Sequence, residues 1–173
     1  MAQHQTRAVP EISLSEQVLA PLRRSMVRAK TFSLLLVIAD GPVRSWLRTR
    51  LLEWSGKDGV PDLHFFASGE AGAAEVDSFL AEAREKPLGG AVIWDGDTLI
   101  AKETPVLDLN MARDRLRKLV AGPLVLVITP RSVVELSRMA PDLFDVRSAT
   151  HDIESAAAQA TSGEVGHALA GGL

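Results

Sequence analysis

Three short stretches carry residue types from which a phosphate or metal site could be built. Asp40-Gly41-Pro42-Val43-Arg44-Ser45 lies between an apolar run and an amphipathic segment, Asp95-Gly96-Asp97 follows a second apolar run, and Thr129 follows a third. A phosphate loop uses several glycines so that backbone N–H groups can wrap phosphate oxygens, a lysine to neutralise them and a hydroxyl to hold magnesium. The first stretch offers one glycine, places the acid of Asp40 where it repels phosphate, and loses an N–H donor at Pro42. Arg44-Ser45 is a weak counterpart of the lysine–hydroxyl pair. Asp95 and Asp97 stand where a magnesium-binding acid would follow its strand. Asp-Gly-Asp is also good turn chemistry, and such an acid has nothing to act on without a phosphate cradle. The turn reading leads.

A phosphoacceptor site is the second template. It needs paired acids after the first strand, an acceptor Asp after the third, a hydroxyl after the fourth and a lysine after the fifth. Asp40, Asp95 and Thr129 fit three of these places, with Asp95 as acceptor. The second acid is missing, and the last strand supplies Arg147, whose planar fork does not replace a compact ammonium. Other chemistries have less support. The chain has no cysteine, which excludes disulfides, thiolate zinc sites and a cysteine nucleophile. Its histidines, His4, His64, His151 and His167, form neither H-x-x-x-H nor H-E-x-x-H, and no G-x-S-x-G elbow occurs. Glu82 and Glu85 read as a solvated helix surface. The expectation is no catalytic, cofactor-binding or metal-ligating residue.

The elements that must position these residues are legible from the pattern. Phe32 to Ala39 is an unbroken apolar run, as in a strand covered on both faces. Gly41 frees the turn and Pro42 suits a first helical position. Val43, Trp46, Leu47, Leu51 and Trp54 then form one stripe of a helix that Ser55-Gly56 stops. Before it, Ser13-Leu14-Ser15-Glu16 reads as a capping box. It opens a helix with Leu14, Val18, Leu22 and Met26 inward, kinked or split at Pro21. Then come a strand at 62–67 containing His64, a helix over 70–85 with Val76, Phe79, Leu80 and Ala83 inward, and a strand at 91–94. Thr98 to Ala101 reads as a short hairpin arm returning across the Asp95–Asp97 turn. Asp108 caps a helix over 109–120, Leu124 to Ile128 is a fourth strand, Thr129 caps a helix that Pro141 ends, and 143–153 is a weak last strand. Residues 1–12 read as a flexible lead, 13–153 as a single domain and 154–173 as a flexible tail.

This alternation predicts an α/β fold, a three-layer sandwich with a mostly parallel sheet of about five strands and helices on both faces. Ligands would meet the carboxyl ends of the strands, so the loops at 40–42, 68–70, 95–97 and 129–131 are the candidate site. At 173 residues the chain has room for one sizeable core. A net charge of −3 argues against nucleic acid as partner. No apolar run approaches the roughly 20 residues of a membrane span, and no secretory h-region is visible. A cytoplasmic protein without a membrane partner is expected.

The stretch from Asp108 to Ser148 carries the most distinctive pattern. It contains Leu109-Asn110, Arg113-Asp114, the run GPLVLVITP from Gly122 to Pro130, Met139-Ala140-Pro141-Asp142-Leu143, and Val146-Arg147-Ser148. In this order the segments resemble an α/β module of bacterial multidomain proteins, found beside tetratricopeptide repeats or STAND-type ATPases in signalling and defence systems. The resemblance spans residues 15–153 and implies a P-loop-NTPase-like fold without a working phosphate loop. Phe144 stands where the module usually has Trp. No repeat or ATPase segment follows in the sequence, which makes a separate chain the expected partner.

The same residues also have structural roles. Asn110 and Asp114 share a helix face, Asp114 can pair with Lys118, Asp142 can bond backbone N–H groups at a helix stop, and Arg147 is placed to clamp Asp142 or Asp114. Arg23, Arg24 and Arg28 form a basic strip suited to an acidic partner. The resulting expectation is a pseudoenzyme: a non-catalytic interaction or regulatory module without cofactor. Its partner would be a co-encoded ATPase, protease or repeat protein. The alternatives are a receiver-like signalling domain phosphorylated at Asp95 and, last, a hydrolase of unrecognised type.

Overall fold

A computed structural model describes residues 15–82, 84–102, 109–145 and 147–160. The lead 1–12, Ser13, Leu14, Ala83, Asp108, Val146 and the stretch 161–173, including His167, lie outside the described residues.

In chain order the elements are α1 (Glu16–Arg28), β1 (Ser33–Ile38), α2 (Gly41–Trp54), β2 (Leu63–Phe65), α3 (Gly69–Ala81), β3 (Gly90–Ile93) and α4 (Gly96–Ala101). They continue with α5 (Arg113–Leu119), β4 (Pro123–Ile128), α6 (Ser132–Met139), α7 (Pro141–Asp145) and β5 (Arg147–Asp152). A last helix, α8, spans 153–160, and residues 109–111 make a helical turn before α5. The five strands are all parallel, in the order β2-β3-β4-β1-β5. Parallel neighbours need crossovers, and the helices that supply them cover both faces.

The strands divide their side chains between two cores. Leu34 and Leu36 of β1, Ala91 and Ile93 of β3, and Leu124, Leu126 and Ile128 of β4 pack with α3 to α7 on one face. Leu35, Val37, Val92, Val125 and Val127 pack with α1, α2 and α8 on the other. This double burial explains why β1 and β4 read as unbroken apolar runs. In α2 the expected stripe is buried at Val43, Leu47, Leu51 and Trp54, while Trp46 is half-buried.

Several local expectations are corrected by tertiary context. Pro21 sits inside a continuous α1. It lies on the exposed side, where losing one hydrogen bond is tolerated, and Leu19, Leu22 and Met26 hold the helix on the sheet. Ser15 is the N-cap, accepting from the Gln17 N–H at 3.3 Å. Thr98 to Ala101 is helical rather than a hairpin arm, because Asp95 caps it and Leu99 and Ile100 are buried on the α3–α7 face. The helix expected over 109–120 breaks at Ala112. Pro141 ends α6 and opens α7, taking Leu143 into a helix instead of the last strand. The tail expected from 154 is helical to 160, since Ile153 and Ala157, one turn apart, are buried beneath it. Asp152 holds its first turn, accepting from the Ser155 N–H at 2.9 Å and hydroxyl at 2.7 Å.

Candidate functional site

The sheet order places β3, β4 and β1 side by side, so the loops after them meet at the carboxyl edge. Arg44, in the first turn of α2, reaches across all three. Its Nη1 donates to Asp97 Oδ2 at 2.7 Å. Its Nη2 donates to the Trp94 carbonyl and, at 3.4 Å, to the Val127 carbonyl, with Asp95 Oδ1 at 3.8 Å. The guanidinium lies 5.5 Å from the centre of the Trp94 ring, and that of Arg48 lies 5.8 Å from the same ring. The Arg44 side chain is only 16% exposed and that of Asp97 25%, so this pair is far less screened than an exposed one.

Asp97 is saturated with donors. Its Oδ1 accepts from the Thr129 N–H and hydroxyl, both at 2.9 Å, and the Ser132 hydroxyl lies 3.3 Å from that of Thr129. Burial pushes the Asp97 pKa up. Hydrogen bonds from Ser132, the Thr129 N–H, Arg44 and the Thr129 hydroxyl outweigh that and hold it below the usual carboxylate range. Thr129 therefore does not cap α6 as expected: its hydroxyl serves Asp97, and Arg131 occupies the cap position.

Asp95 has a different task. Its Oδ1 accepts from the Thr98 N–H at 3.3 Å, and its Oδ2 accepts from the Thr98 hydroxyl at 2.8 Å and the Gly69 N–H at 2.9 Å. It caps α4 and ties the loop after β2 to the loop after β3. Gly96 separates the two acids, and a Cβ there would lie 2.6 Å from Ile128 Cγ2 and 2.9 Å from the Val127 carbonyl oxygen. Only glycine lets this turn lie flat on β4.

Asp40 stands apart from this cluster. Its carboxylate accepts from the Gly41 N–H at 2.7 Å, and its own N–H donates to Glu154 Oε2 of α8 at 2.9 Å. Gly41 adopts φ +44°, the left-handed region glycine favours. Since β4 lies between β1 and β3, Asp40 and Asp95 leave strands that are not neighbours. Receiver domains have the order 2-1-3-4-5, in which β1 and β3 are adjacent. The α2 N-terminus, where an anion would be favoured, faces two of the chain's own carboxylates.

The remaining sequence candidates lie elsewhere. Asn110 Oδ1 accepts from the Leu143 N–H at 2.9 Å, and Arg113 pairs with Asp142 at 3.0 Å. These contacts, with Pro141 opening α7, fasten α7 to the first residue of α5 and to the helical turn before it. Asp114 lies 4.0 Å from Arg117, one turn on, rather than meeting Lys118. Arg147 clamps neither Asp142 nor Asp114. It stacks 3.7 Å from the Phe144 ring centre, and it donates to the Phe144 carbonyl and, at 3.1 Å, to the Thr150 hydroxyl. Arg23 pairs with Asp58 at 2.7 Å beside Trp54, while Arg24 and Arg28 are exposed. Among the described residues no group of three or more His, Asp and Glu is placed to hold a metal ion, and no helix is long and apolar enough to cross a membrane.

His151 on β5 is half-buried, with Nε2 shut off from solvent and unbonded. Burial lowers its pKa from the ordinary 6.5. Below that value the unfolded chain takes up a proton the folded one refuses, so stability is lost as pH falls. Unfolding free energies from urea titrations are expected to fall between about pH 7 and pH 5, and His151→Gln should remove that slope.

Sequence reasoning located Arg44, Asp95, Asp97 and Thr129 but missed how they pair. It also missed Ser132 and Glu154, held Gly69 only within the loop 68–70, and read Trp94 only as the end of a strand. Ser132 follows Thr129 by three residues, a usable signal, whereas Glu154 lay in a stretch read as tail. Comparisons of the chain with protein-family models, with curated proteins and with solved structures gave no match.

Proposed function

We propose that this chain is a non-catalytic interaction or regulatory module, a nucleotide-binding-like α/β scaffold whose ligand position is taken by its own side chains. In this reading it works in the cytoplasm with a separate protein, such as a co-encoded ATPase, protease or repeat protein of a bacterial signalling or defence system. The observation that carries the reading is the seating of Arg44 against Asp97, the Trp94 and Val127 carbonyls and Asp95. A magnesium–phosphate group would have to displace that guanidinium from all of them at once. It would also approach an α2 N-terminus already answered by Asp40 and Glu154. Asp95 does not favour the phosphoacceptor alternative, since both its oxygens hold structural hydrogen bonds.

Calorimetric titration with magnesium ATP or GTP is expected to give no binding heat, even at ligand concentrations that would reveal a Kd of about 100 µM. Micromolar affinity that disappears in Arg44→Ala or Asp95→Ala would overturn the reading.

A further inference from the structure

Leu19, Leu22 and Met26 hold α1 on the sheet, fully buried. Beside them Ala20, Arg23, Arg24, Val27 and Arg28 recur at helical spacing, and with Asp58 they line a groove of about 520 Å³. The second wall of the groove is the turn after α2. Asp58 there adopts φ +48°, and a Cβ at Gly59 would lie 3.3 Å from Val27 Cγ1, so the turn rests directly on α1. Arg23 pins it: Nη2 donates to Asp58 Oδ2 at 2.7 Å, and the guanidinium lies 5.6 Å from the Trp54 ring centre. Since α1 runs into β1 and α2 into β2, this groove sits at the amino ends of the parallel strands, opposite the Arg44 cluster.

Three arginines meet one carboxylate in the groove. Arg24 and Arg28 are exposed and, among the described residues, pair with no acid. The same holds for Lys30, just beyond Arg28, and for Lys57, next to Asp58. At its other end α1 does pair its charge, Glu16 with Arg50 at 3.0 Å. The helix dipole accounts for Arg28, in the last turn, but fades before Arg24 is reached. Like charges at i and i+4, as Arg24 and Arg28 are, weaken a helix. The fold gains nothing from keeping Arg24 there unpaired.

We propose that this groove docks an acidic segment of a partner protein, its carboxylates on Arg24 and Arg28 and an apolar side chain between them on Ala20 and Val27. The proposal rests on the reading of the chain as an interaction module and names the surface and the chemistry of that interaction. Arginine suits it, because the guanidinium takes a carboxylate through two parallel bonds and is enriched at protein interfaces. Nucleic acid fits less well: Asp58 repels phosphate inside the groove, and a net charge of −3 supplies no surrounding positive field. A bilayer fits less well too, since Ala20 and Val27 are half-buried and no apolar side chain of the groove protrudes. The end stretches of the chain, 1–14 and 161–173, hold one acid each, Glu11 and Glu164, too few to answer both arginines.

The probe is a fluorescent synthetic helical peptide with a leucine flanked by glutamates one turn to either side, titrated with the full chain in low-salt buffer and followed by anisotropy. A Kd of about 100 µM or tighter is expected, weakening about tenfold when the glutamates become glutamines. Arg24→Glu with Arg28→Glu should weaken it about tenfold or more and leave the circular dichroism unchanged, because both side chains are exposed. Arg131→Glu with Arg138→Glu makes the same charge change at exposed positions on and beside α6 and should leave the affinity within about twofold. No binding, equal affinity for the glutamine peptide, or equal weakening by the two double variants would each overturn the proposal. So would tighter binding of phosphatidylserine vesicles or polyuridylate that the Arg24 and Arg28 reversal abolishes. A silent peptide titration with magnesium ATP also silent removes the groove alone, whereas ATP binding at the opposite end of the sheet removes the interaction-module reading itself.

Discussion

Arg44→Met is expected to lower the unfolding free energy by about 3 kcal/mol, toward the lower end of what breaking a buried ion pair costs because both side chains keep some solvent contact. The methionine fills much of the arginine's volume and leaves the Trp94 ring covered, so the loss is mainly electrostatic. It strands Asp97 with donors from Thr129 and Ser132 but no counter-charge, and the Trp94 carbonyl loses its donor. Urea titrations at neutral pH measure the difference directly. The pH dependence separates this mechanism from simple misfolding. Asp97 has a depressed pKa, so its contribution is present above the usual carboxylate range and is lost as pH falls through the folded-state value. The gap between Arg44→Met and the unmodified chain should therefore shrink in acid. Adding Asp97→Asn to Arg44→Met should recover part of the loss, because the uncompensated charge is gone. A penalty below about 1 kcal/mol would mean the pair is screened like a surface bridge, and the sealed-site reading would lose its main support.

Gly72→Ala should destabilise by about 3 kcal/mol or more, against the direction that helix propensity alone predicts. Alanine is better than glycine in a helix by roughly 1 kcal/mol, yet a Cβ at Gly72 would lie 1.8 Å from the Ala67 carbonyl oxygen and 2.7 Å from its carbon. Those atoms are backbone and cannot rotate away. The loop after β2 would be pushed off α3, breaking the Ala67–Glu75 bond and, two residues on, the Gly69 N–H bond to Asp95. Thermal unfolding measures the cost, and hydrogen exchange at the Gly69 amide should accelerate ahead of amides in β4. A neutral or stabilising result would show that the loop relaxes freely and that its tie to Asp95 is dispensable.

The two changes act on opposite sides of one network, which runs from Gly69 through Asp95, Arg44 and Asp97 to Thr129. It joins the loops after β2, β3 and β4 to α2. In catalytic α/β proteins that edge is left open for ligand. Here Arg44, Asp95, Asp97 and Thr129 bond to one another and to Gly69, and so tie the strand ends together.

By itself the sequence determined the α/β class, the strand–turn–helix from β1 into α2 and the apolar runs of β1 and β4. Those depend on period and burial, which are local properties: a strand buried on both faces must be apolar throughout, and a helix on a sheet must carry one stripe. It also located Arg44, Asp95, Asp97 and Thr129 at strand ends, because turn residues there stand out against apolar neighbours. Only the tertiary structure decided what they do. That Arg44 meets Asp97 follows from β4 lying between β1 and β3, a strand order that no spacing in the chain encodes. That α8 exists follows from Ile153 and Ala157 finding the α1–α2 face, a burial too sparse to register as a periodic pattern. Arg147 turned to Phe144, and Arg113 to Asp142, because the helix break at Ala112 and the new start at Pro141 set the reach of each side chain. Local chemistry names the groups, and the packing of distant segments assigns their partners.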